Sequence, residues 1–355
     1  MPHPSPPPTL AITCGDPAGI GPEVVLAAWA RSPAHDAARL RVVAPRALVE
    51  ETLASTPGLP ALAVEAVGAD DQRQSRADLV LVVEPAGSCG PVPRGRISAA
   101  GGAAAIAALE TAFALVRDRH AHAIVTGPLN KAAIHAAGHD VPGHTEWLAR
   151  ACGLPDAAAS MMLWLPAAAG GSHGLGVVHA TLHESLRGAI GRLATADIVA
   201  AGLRLARVLP ALLGRPPRLA VAALNPHGGE GGLFGDEESR LVVPAVRALA
   251  AQGLDVAGPL PADTLFLQAS RGTFDGVVAL YHDQGHIPVK LLGMHRAVNI
   301  TLGLPLVRTS VAHGTAFDLV GTGTADPSSM LAAIDVACQL AIAPAAVRAA
   351  QVTAL

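Results

Sequence analysis

The sequence predicts an α/β protein built on a mostly parallel sheet. Short runs rich in Val, Ile and Leu alternate with Ala-rich stretches along the 355 residues. The short runs are continuously apolar, which is typical of strands buried on both faces. Apolar residues make up 51% of the chain but aromatic residues only 3%, so the core must consist of small aliphatic side chains. Alternating strands and helices indicate a layered α/β architecture.

The individual elements follow from these runs. The predicted strands are 10–14, 40–44, 79–83, 123–126, 161–165, 176–179, 219–224, 276–281 and 298–302. The predicted helices are 23–31, 103–117, 146–151, 185–208, 244–252 and 329–349.

Charge and cysteine content exclude several classes of protein. The chain has 25 Lys and Arg residues against 28 Asp and Glu residues, and the net charge of -3 argues against a nucleic-acid or anionic-membrane partner. The longest uncharged stretch, 157–182, contains one proline and four glycines, which a membrane helix would not carry. The four cysteines, at positions 14, 89, 152 and 338, are far apart. The N-terminus has no basic residue typical of a signal peptide, so we expect reduced thiols in a cytoplasmic protein.

Two segments lie where α/β proteins bind small ligands. The sequence GDPAGIGPE, from Gly15, follows the first strand, opens a helix and lacks the GxGxxG pattern of dinucleotide-binding turns. On its own it predicts a tight strand-to-helix turn. TGPLNK, from Thr126, follows a strand, and GHTE, from Gly143, precedes a helix. Thr145 could serve as the N-cap of the helix that starts near Glu146 rather than bind a ligand, whereas His144 has no such structural role.

Histidines follow three of the predicted strands. His183, His227 and His282 each come after an apolar run, and the ends of parallel strands meet at one edge of a sheet. Three imidazoles at one edge would suit a divalent cation. Their separations of 44 and 55 residues match no local metal motif, so three unrelated loop histidines remain the alternative.

A set of polar residues suited to phosphate follows. The set combines the ammonium charge of Lys290, the amide donor of Asn299 and the planar guanidinium of Arg308, which can donate two parallel hydrogen bonds. The alternative is that these three residues form a solvent-exposed polar rim that binds no ligand. Arg308 stands in an otherwise apolar stretch, 300–311, where a buried guanidinium requires an anion, which favours a functional role.

Together these segments resemble the 4-hydroxythreonine-4-phosphate dehydrogenase family of vitamin B6 biosynthesis, with its paralogues. The resemblance extends from about residue 10 to residue 326. The further motifs that carry it are LNPHGGEGG from Leu224, GPLPADT from Gly258, YHDQG from Tyr281 and NITLGLPLVRTSVAHGTAFDLVGTGTAD from Asn299.

The resemblance implies an isocitrate/isopropylmalate dehydrogenase-like fold with two α/β/α domains and an active-site cleft between them. The expected domains are a cofactor-side domain, 1–128 plus 297–355, and a substrate, metal and dimerisation domain, 129–296. The family works as a homodimer with a shared active site. His183, His227 and His282 would bind one divalent ion (zinc, magnesium or cobalt), with one histidine contributed by the other subunit.

The resemblance also implies the remaining site residues. His144 and Thr145 would contact the substrate together with Lys290, Asn299 and Arg308. The loop of His313, Gly314, Thr315 and Ala316 would lie beside NAD or NADP, and either Asp263 or Asp283 would relay a proton. The metal would polarise the C3 hydroxyl, hydride would pass to the nicotinamide, and the β-keto acid would lose CO2.

Two segments depart from the biosynthetic pattern. The sequence has Glu184-Ser185-Leu186-Arg187 after His183, and His286 after Gly285. Both are more similar to the paralogues, including dehydrogenases of aromatic cis-dihydrodiol dicarboxylates. The three predicted anion-binding residues favour a phosphorylated four-carbon acid, either 4-hydroxythreonine 4-phosphate or threonate 4-phosphate. A metal-dependent phosphate-ester hydrolase is the alternative from a different class, but it leaves the HGTA loop without a cofactor.

Overall fold

The computed structural model describes residues 6–87, 90–167 and 173–343. Within that part the chain forms twelve strands: β1 Thr9–Thr13, β2 Arg39–Val43, β3 Ala63–Ala66, β4 Leu79–Val83, β5 Ala123–Thr126, β6 Ser160–Leu165, β7 Leu175–His179, β8 Arg218–Ala222, β9 Asp255–Leu260, β10 Gly276–Ala279, β11 Val298–Leu302 and β12 Val307–Val311. The same residues form eleven α-helices: α1 Gly21–Trp29, α2 Arg46–Ser55, α3 Ala99–Arg117, α4 Lys131–Ala136, α5 His144–Ala151, α6 Leu186–Arg192, α7 Thr195–Leu213, α8 Val243–Ala251, α9 Ala262–Ser270, α10 His282–Gly293 and α11 Ser328–Ile342.

The described chain divides into two compact units. Unit 1 comprises residues 6–156 and 304–343, and unit 2 comprises residues 157–303. The sheet of unit 1 is parallel and has the order β3-β4-β2-β1-β5-β12. The sheet of unit 2 has the order β11-β6-β7-β10-β8-β9, and β6 runs antiparallel to both of its neighbours. The predicted α/β class is confirmed.

Side-chain caps fix where several helices begin. The Ser98 hydroxyl accepts a hydrogen bond from the Gly101 amide at the start of α3, and Asn130 caps α4 in the same way. α3 is long and apolar enough, by length and composition, to cross a membrane. It packs against β1, β2 and β5, and half of it is buried, as in the core helix of an α/β unit.

All nine predicted strands are present, but the sequence missed β3, β9 and β12. β3 is exposed and lacks an apolar run, β9 contains the Gly258–Pro259 pair, and β12 carries Arg308 among Thr and Ser. The predicted helix 185–208 is two helices, because Leu193 and Ala194 are extended between α6 and α7. α2, α4, α9 and α10 were not predicted; Gly285 and Pro288 hid α10. The predicted C-terminal helix is present as α11, and its residues beyond 343 lie outside the described part.

The units differ from the predicted domains at two boundaries. Residues 129–156 belong to unit 1, where α4 packs closely against Gly102 of α3. The chain returns to unit 1 after Gly303 rather than after residue 296, because β11 pairs with β6 of unit 2. Three of the cysteines, Cys14, Cys152 and Cys338, are free thiols, and position 89 lies outside the described residues.

Candidate active site

Arg308 occupies a buried position in unit 1. It is the second residue of β12, paired in register with Ile124 of β5, and is 2% exposed. Its Nε and Nη2 atoms both donate to the Thr126 hydroxyl oxygen, at 3.1 and 2.6 Å. Burial lowers the pKa of Arg308 to about 10, and the Glu146 carboxylate opposes that shift. The guanidinium therefore stays charged at neutral pH. Arg308 is thus buried, which is the condition on which the sequence argument for an anion depends.

His144 and Thr145 begin helix α5 in the same unit. His144 is the first helical residue and Gly143 is the N-cap, so the alternative of Thr145 as a cap is wrong. Burial and the positive charge of Arg308 lower the pKa of His144 well below its usual range. The imidazole is therefore neutral at pH 7, able to donate one hydrogen bond and accept another.

The other two predicted phosphate-binding residues belong to unit 2. Lys290 is exposed on α10, and its charge is one of the causes that lower the pKa of His286. Asn299 is half-buried on β11, and its Oδ1 atom is buried without a hydrogen-bond partner among the described residues. An unsatisfied buried amide oxygen is costly, and because it can only accept a hydrogen bond, it is consistent with a ligand group that donates one.

The predicted cofactor loop packs on the glycine-rich turn within unit 1. The Thr315 carbonyl accepts a hydrogen bond from the Ile20 amide at 2.9 Å, and a Cβ atom on Gly19 would lie 2.6 Å from that carbonyl. Ala316 adopts a left-handed backbone with φ 40°. The Nδ1 of His313 bonds to the Gly314 carbonyl, whereas its Nε2 is buried without a partner in the described chain. GDPAGIGPE thus shapes this loop and is more than a connector.

Acidic residues anchor that turn. Asp16 is fully buried, its Oδ1 accepts from the Ala18 amide, and burial raises its pKa. Glu23 accepts from Arg94 at 2.6 Å and from the Gly321 amide at 2.8 Å. Glu23 therefore ties the first helix to the segment that follows the HGTA loop.

Two of the predicted metal ligands come together in unit 2. His183 and His282 have ring centroids 5.8 Å apart and line a cavity of about 470 Å³ with Glu184 and Asp283. Asp283 Oδ1 lies 2.7 Å from His282 Nδ1. A carboxylate on one ring nitrogen directs the other nitrogen toward a metal, so this pair suits a cation.

His227 is not grouped with this pair. It lies exposed in a turn with a left-handed backbone, φ 53°. Glu238 holds the start of that turn, because its carboxylate accepts from the amides of Leu224 and Asn225 and from the Asn225 side chain. No three His, Cys, Asp or Glu side chains form a metal-binding group within the described part of one chain.

Two buried histidines stand behind His282. The ring of His286 stacks on His282 with centroids 3.7 Å apart, and its Nδ1 lies 3.1 Å from both the His282 carbonyl and His179 Nε2. Burial lowers the pKa of His179 to about 3 and that of His286 to about 4. Both rings are neutral, and they fix the position of His282.

The two candidate proton relays are exposed, and the segment after His183 that departs from the biosynthetic pattern forms the start of a helix. Asp263 is exposed in the first turn of α9, and Asp283 is exposed beside His282. Glu184 pairs with Arg192 at 2.7 Å, and Ser185 caps α6, so that departure builds the helix after His183.

Sequence reasoning missed Thr126, Glu238, His179 and His286 as supports of the site. Thr126 belongs to the TGPLNK motif, and His286 departs from the biosynthetic pattern. The motif did not indicate that Thr126 bonds to Arg308, because that contact depends on the register of β12 on β5. The departure did not indicate that His286 stacks on His282, because that contact depends on where the two residues lie around α10.

Comparisons with known proteins point to one family. The family model described as "Pyridoxal phosphate biosynthetic protein PdxA" matches residues 36–337. A D-threonate 4-phosphate dehydrogenase from Cupriavidus necator is 44% identical over 94% of this chain and 97% of its own length. A 4-hydroxythreonine-4-phosphate dehydrogenase from Beijerinckia indica is 45% identical over 94% of this chain and 95% of its own. The crystal structure of a 4-hydroxythreonine-4-phosphate dehydrogenase from Klebsiella pneumoniae is 40% identical, with a TM-score of 0.80 over 94% of this chain and 99% of that one.

The fold, the site and these relatives define an oxidoreductase of the dehydrogenase class. More narrowly, the chain belongs to the PdxA family, and its fold is that of the 4-hydroxythreonine-4-phosphate dehydrogenase from Klebsiella pneumoniae.

Proposed function

We propose that this protein oxidises a phosphorylated hydroxy acid with NAD or NADP and a divalent metal, and that decarboxylation follows. The leading substrate is 4-hydroxythreonine 4-phosphate, for pyridoxal phosphate biosynthesis in the cytoplasm. The observation that carries the proposal is the charged Arg308, 2% exposed and held by Thr126. A fixed guanidinium suits a phosphate oxygen, because its N–H groups are already aligned.

His183 and His282 are the proposed metal ligands from one chain. Their donor type and the carboxylate on His282 suit zinc, and imidazole also binds cobalt. Magnesium prefers oxygen ligands and fits less well. When bound, the metal would act as a Lewis acid on the substrate hydroxyl, and the nicotinamide would accept hydride.

The third ligand is proposed to be His227 of a second copy, which makes the active site a property of a homodimer. Two ligands from one chain leave a tetrahedral site incomplete. Helix α6, which follows His183, exposes 56% of Leu186. Helix α10, which begins at His282, exposes 82% of Leu291. Such residues beside a site are typical of a contact surface.

The other residues have proposed roles in binding and proton transfer. His144, Thr145, Lys290 and Asn299 are proposed to contact the substrate, Arg308 its phosphate, and the loop 313–316 the cofactor. Neutral His144 supplies a hydrogen bond without adding charge. Asp283 orients His282, which leaves Asp263 as the proposed proton relay.

Threonate 4-phosphate is a second candidate, and a specific observation favours it. The departure residue His286 stacks directly on His282, so the difference from the biosynthetic pattern lies at the site itself. The two acids differ at C2, where one carries an amino group and the other a hydroxyl. Identities of 44% and 45% to relatives named for each substrate do not separate them.

The test is a substrate panel read as absorbance at 340 nm with NAD+ and with NADP+. The panel holds 4-hydroxythreonine 4-phosphate, D-threonate 4-phosphate, their dephosphorylated forms and an aromatic cis-dihydrodiol dicarboxylate. Reduced nicotinamide with a phosphorylated acid supports the proposal. Turnover of the diol alone would assign the pocket to a carboxylate. Phosphate release without reduced cofactor would favour the hydrolase.

A further inference from the structure

We propose that Thr126 is a binding residue of the anion pocket, which both positions Arg308 and donates its own hydroxyl hydrogen to the bound anion. This inference rests on the proposed function, because it deepens the description of the same site. Thr126 is the last residue of β5, and its side chain is buried. The register of β12 on β5 places Ser310 opposite Thr126, with Arg308 two residues earlier.

The hydrogen bonds determine what the Thr126 hydroxyl can still do. Its oxygen accepts from both Nε and Nη2 of Arg308, so both lone pairs are engaged. The hydroxyl hydrogen must then point away from the guanidinium. Among the described residues no acceptor bonds to that hydrogen, since the only other hydrogen bond of Thr126 that involves a side chain is from the Ser310 hydroxyl to the Thr126 carbonyl.

A buried donor directed away from a fixed cation favours an anionic acceptor. An oxygen atom of a phosphate that meets Arg308 would come within reach of the Thr126 hydroxyl. The arrangement also fixes the guanidinium, because two N–H groups on a single oxygen restrict rotation of the fork. Thr126 thus determines where the anion binds as well as how tightly it is held.

The experiment compares Thr126→Val, Thr126→Ser and a matched control, Thr309→Val. Thr309 is also buried, and its hydroxyl donates to the Ala333 carbonyl, so the control removes a buried hydroxyl bond from β12 without touching the guanidinium. The readouts are kcat and KM for whichever phosphorylated acid the wild type oxidises, and the Kd of inorganic phosphate by calorimetry. Thermal unfolding of each variant checks that it is folded.

We expect Thr126→Val to raise KM and the Kd of phosphate by about 10- to 100-fold, the range for loss of one hydrogen bond to a charged group, with kcat much less affected. Thr126→Ser keeps the hydroxyl and should stay within about threefold of wild type in both readouts. Thr309→Val should leave both binding constants unchanged.

Three results would overturn the proposal. One is a folded Thr126→Val protein with wild-type KM and phosphate affinity. A second is Thr126→Ser binding as weakly as the Val variant, since the methyl group would then be the relevant feature. The third is a wild type that binds no phosphate. A wild type that binds phosphate but oxidises no phosphorylated acid would instead refute the proposed function, and calorimetry would still test Thr126.

Discussion

Replacing Arg308 tests the anion pocket most directly. In Arg308→Ala the guanidinium is lost from a position that is 2% exposed, and the two hydrogen bonds to Thr126 are lost with it. The alanine leaves a cavity and no cation for the phosphate. Arg308→Lys keeps a positive charge, but a single ammonium cannot reproduce the planar fork.

The size of the effect follows from the interaction that is removed. A hydrogen bond to a charged group contributes roughly 1.5–3 kcal/mol, so Arg308→Ala should lower kcat/KM by about one to two orders of magnitude. The dephosphorylated analogue already lacks the anion and should lose far less. Arg308→Lys should fall between wild type and the alanine variant.

A second measurement needs no substrate. The charge of Arg308 is one of two causes that lower the pKa of His144, so Arg308→Ala should raise that pKa toward its usual range. An NMR titration of the histidine C–H signals reports it. Equal losses of kcat/KM on the phosphorylated and dephosphorylated substrates would refute the phosphate assignment. An unmoved His144 titration would refute the electrostatic reasoning.

Three further predictions concern the histidine site. Asp283→Asn should weaken zinc binding by about 10- to 100-fold, measured by competition with a chelator, because the amide holds His282 less well; unchanged affinity would remove Asp283 from the site. Mixing inactive His227→Ala and His282→Ala chains should restore activity, since each hybrid dimer regains one intact site; hybrids shown to form but inactive would contradict a shared site. In the metal-free protein, burial lowers the pKa of His286 to about 4, against 6.5 in the unfolded chain. Neutral His286 therefore contributes fully to the free energy of unfolding above pH 6.5, and this contribution is lost as the pH falls toward 4. His286→Gln should remove up to about 3 kcal/mol of that dependence in urea unfolding, whereas the exposed His135→Gln should not alter it.

The strand core was predictable because apolar runs report burial on both faces. β1, β5 and β10 stand where their Val, Ile and Ala runs are. The elements that were missed mix polar residues with apolar ones for a reason: β12 carries Arg308 into the interior of unit 1, and α10 carries His282 and His286.

The sequence predicted that histidines at strand ends would come together, but it did not predict the contacts within the candidate site. Strand ends indicated His183 and His282, and the structure brings those two together. The support of Arg308 by Thr126 could not be foreseen, because it depends on the register of β12 against β5 and β12 was not recognised as a strand. The stacking of His286 on His282 depends on one turn of a helix that Pro288 concealed.

The discontinuous composition of unit 1 has a consequence for biosynthesis on the ribosome. Strand β12 and helix α11 come from residues 304–343, after the whole of unit 2 has been translated. α11 packs on β5 and β12, so the buried apolar strand β5 lacks part of its final cover until translation nears its end. Nascent chains expose hydrophobic surface in this way, and chaperones recognise it. The N-terminal segment is therefore made first but completed last, and premature termination before residue 304 would leave unit 1 without β12 and α11.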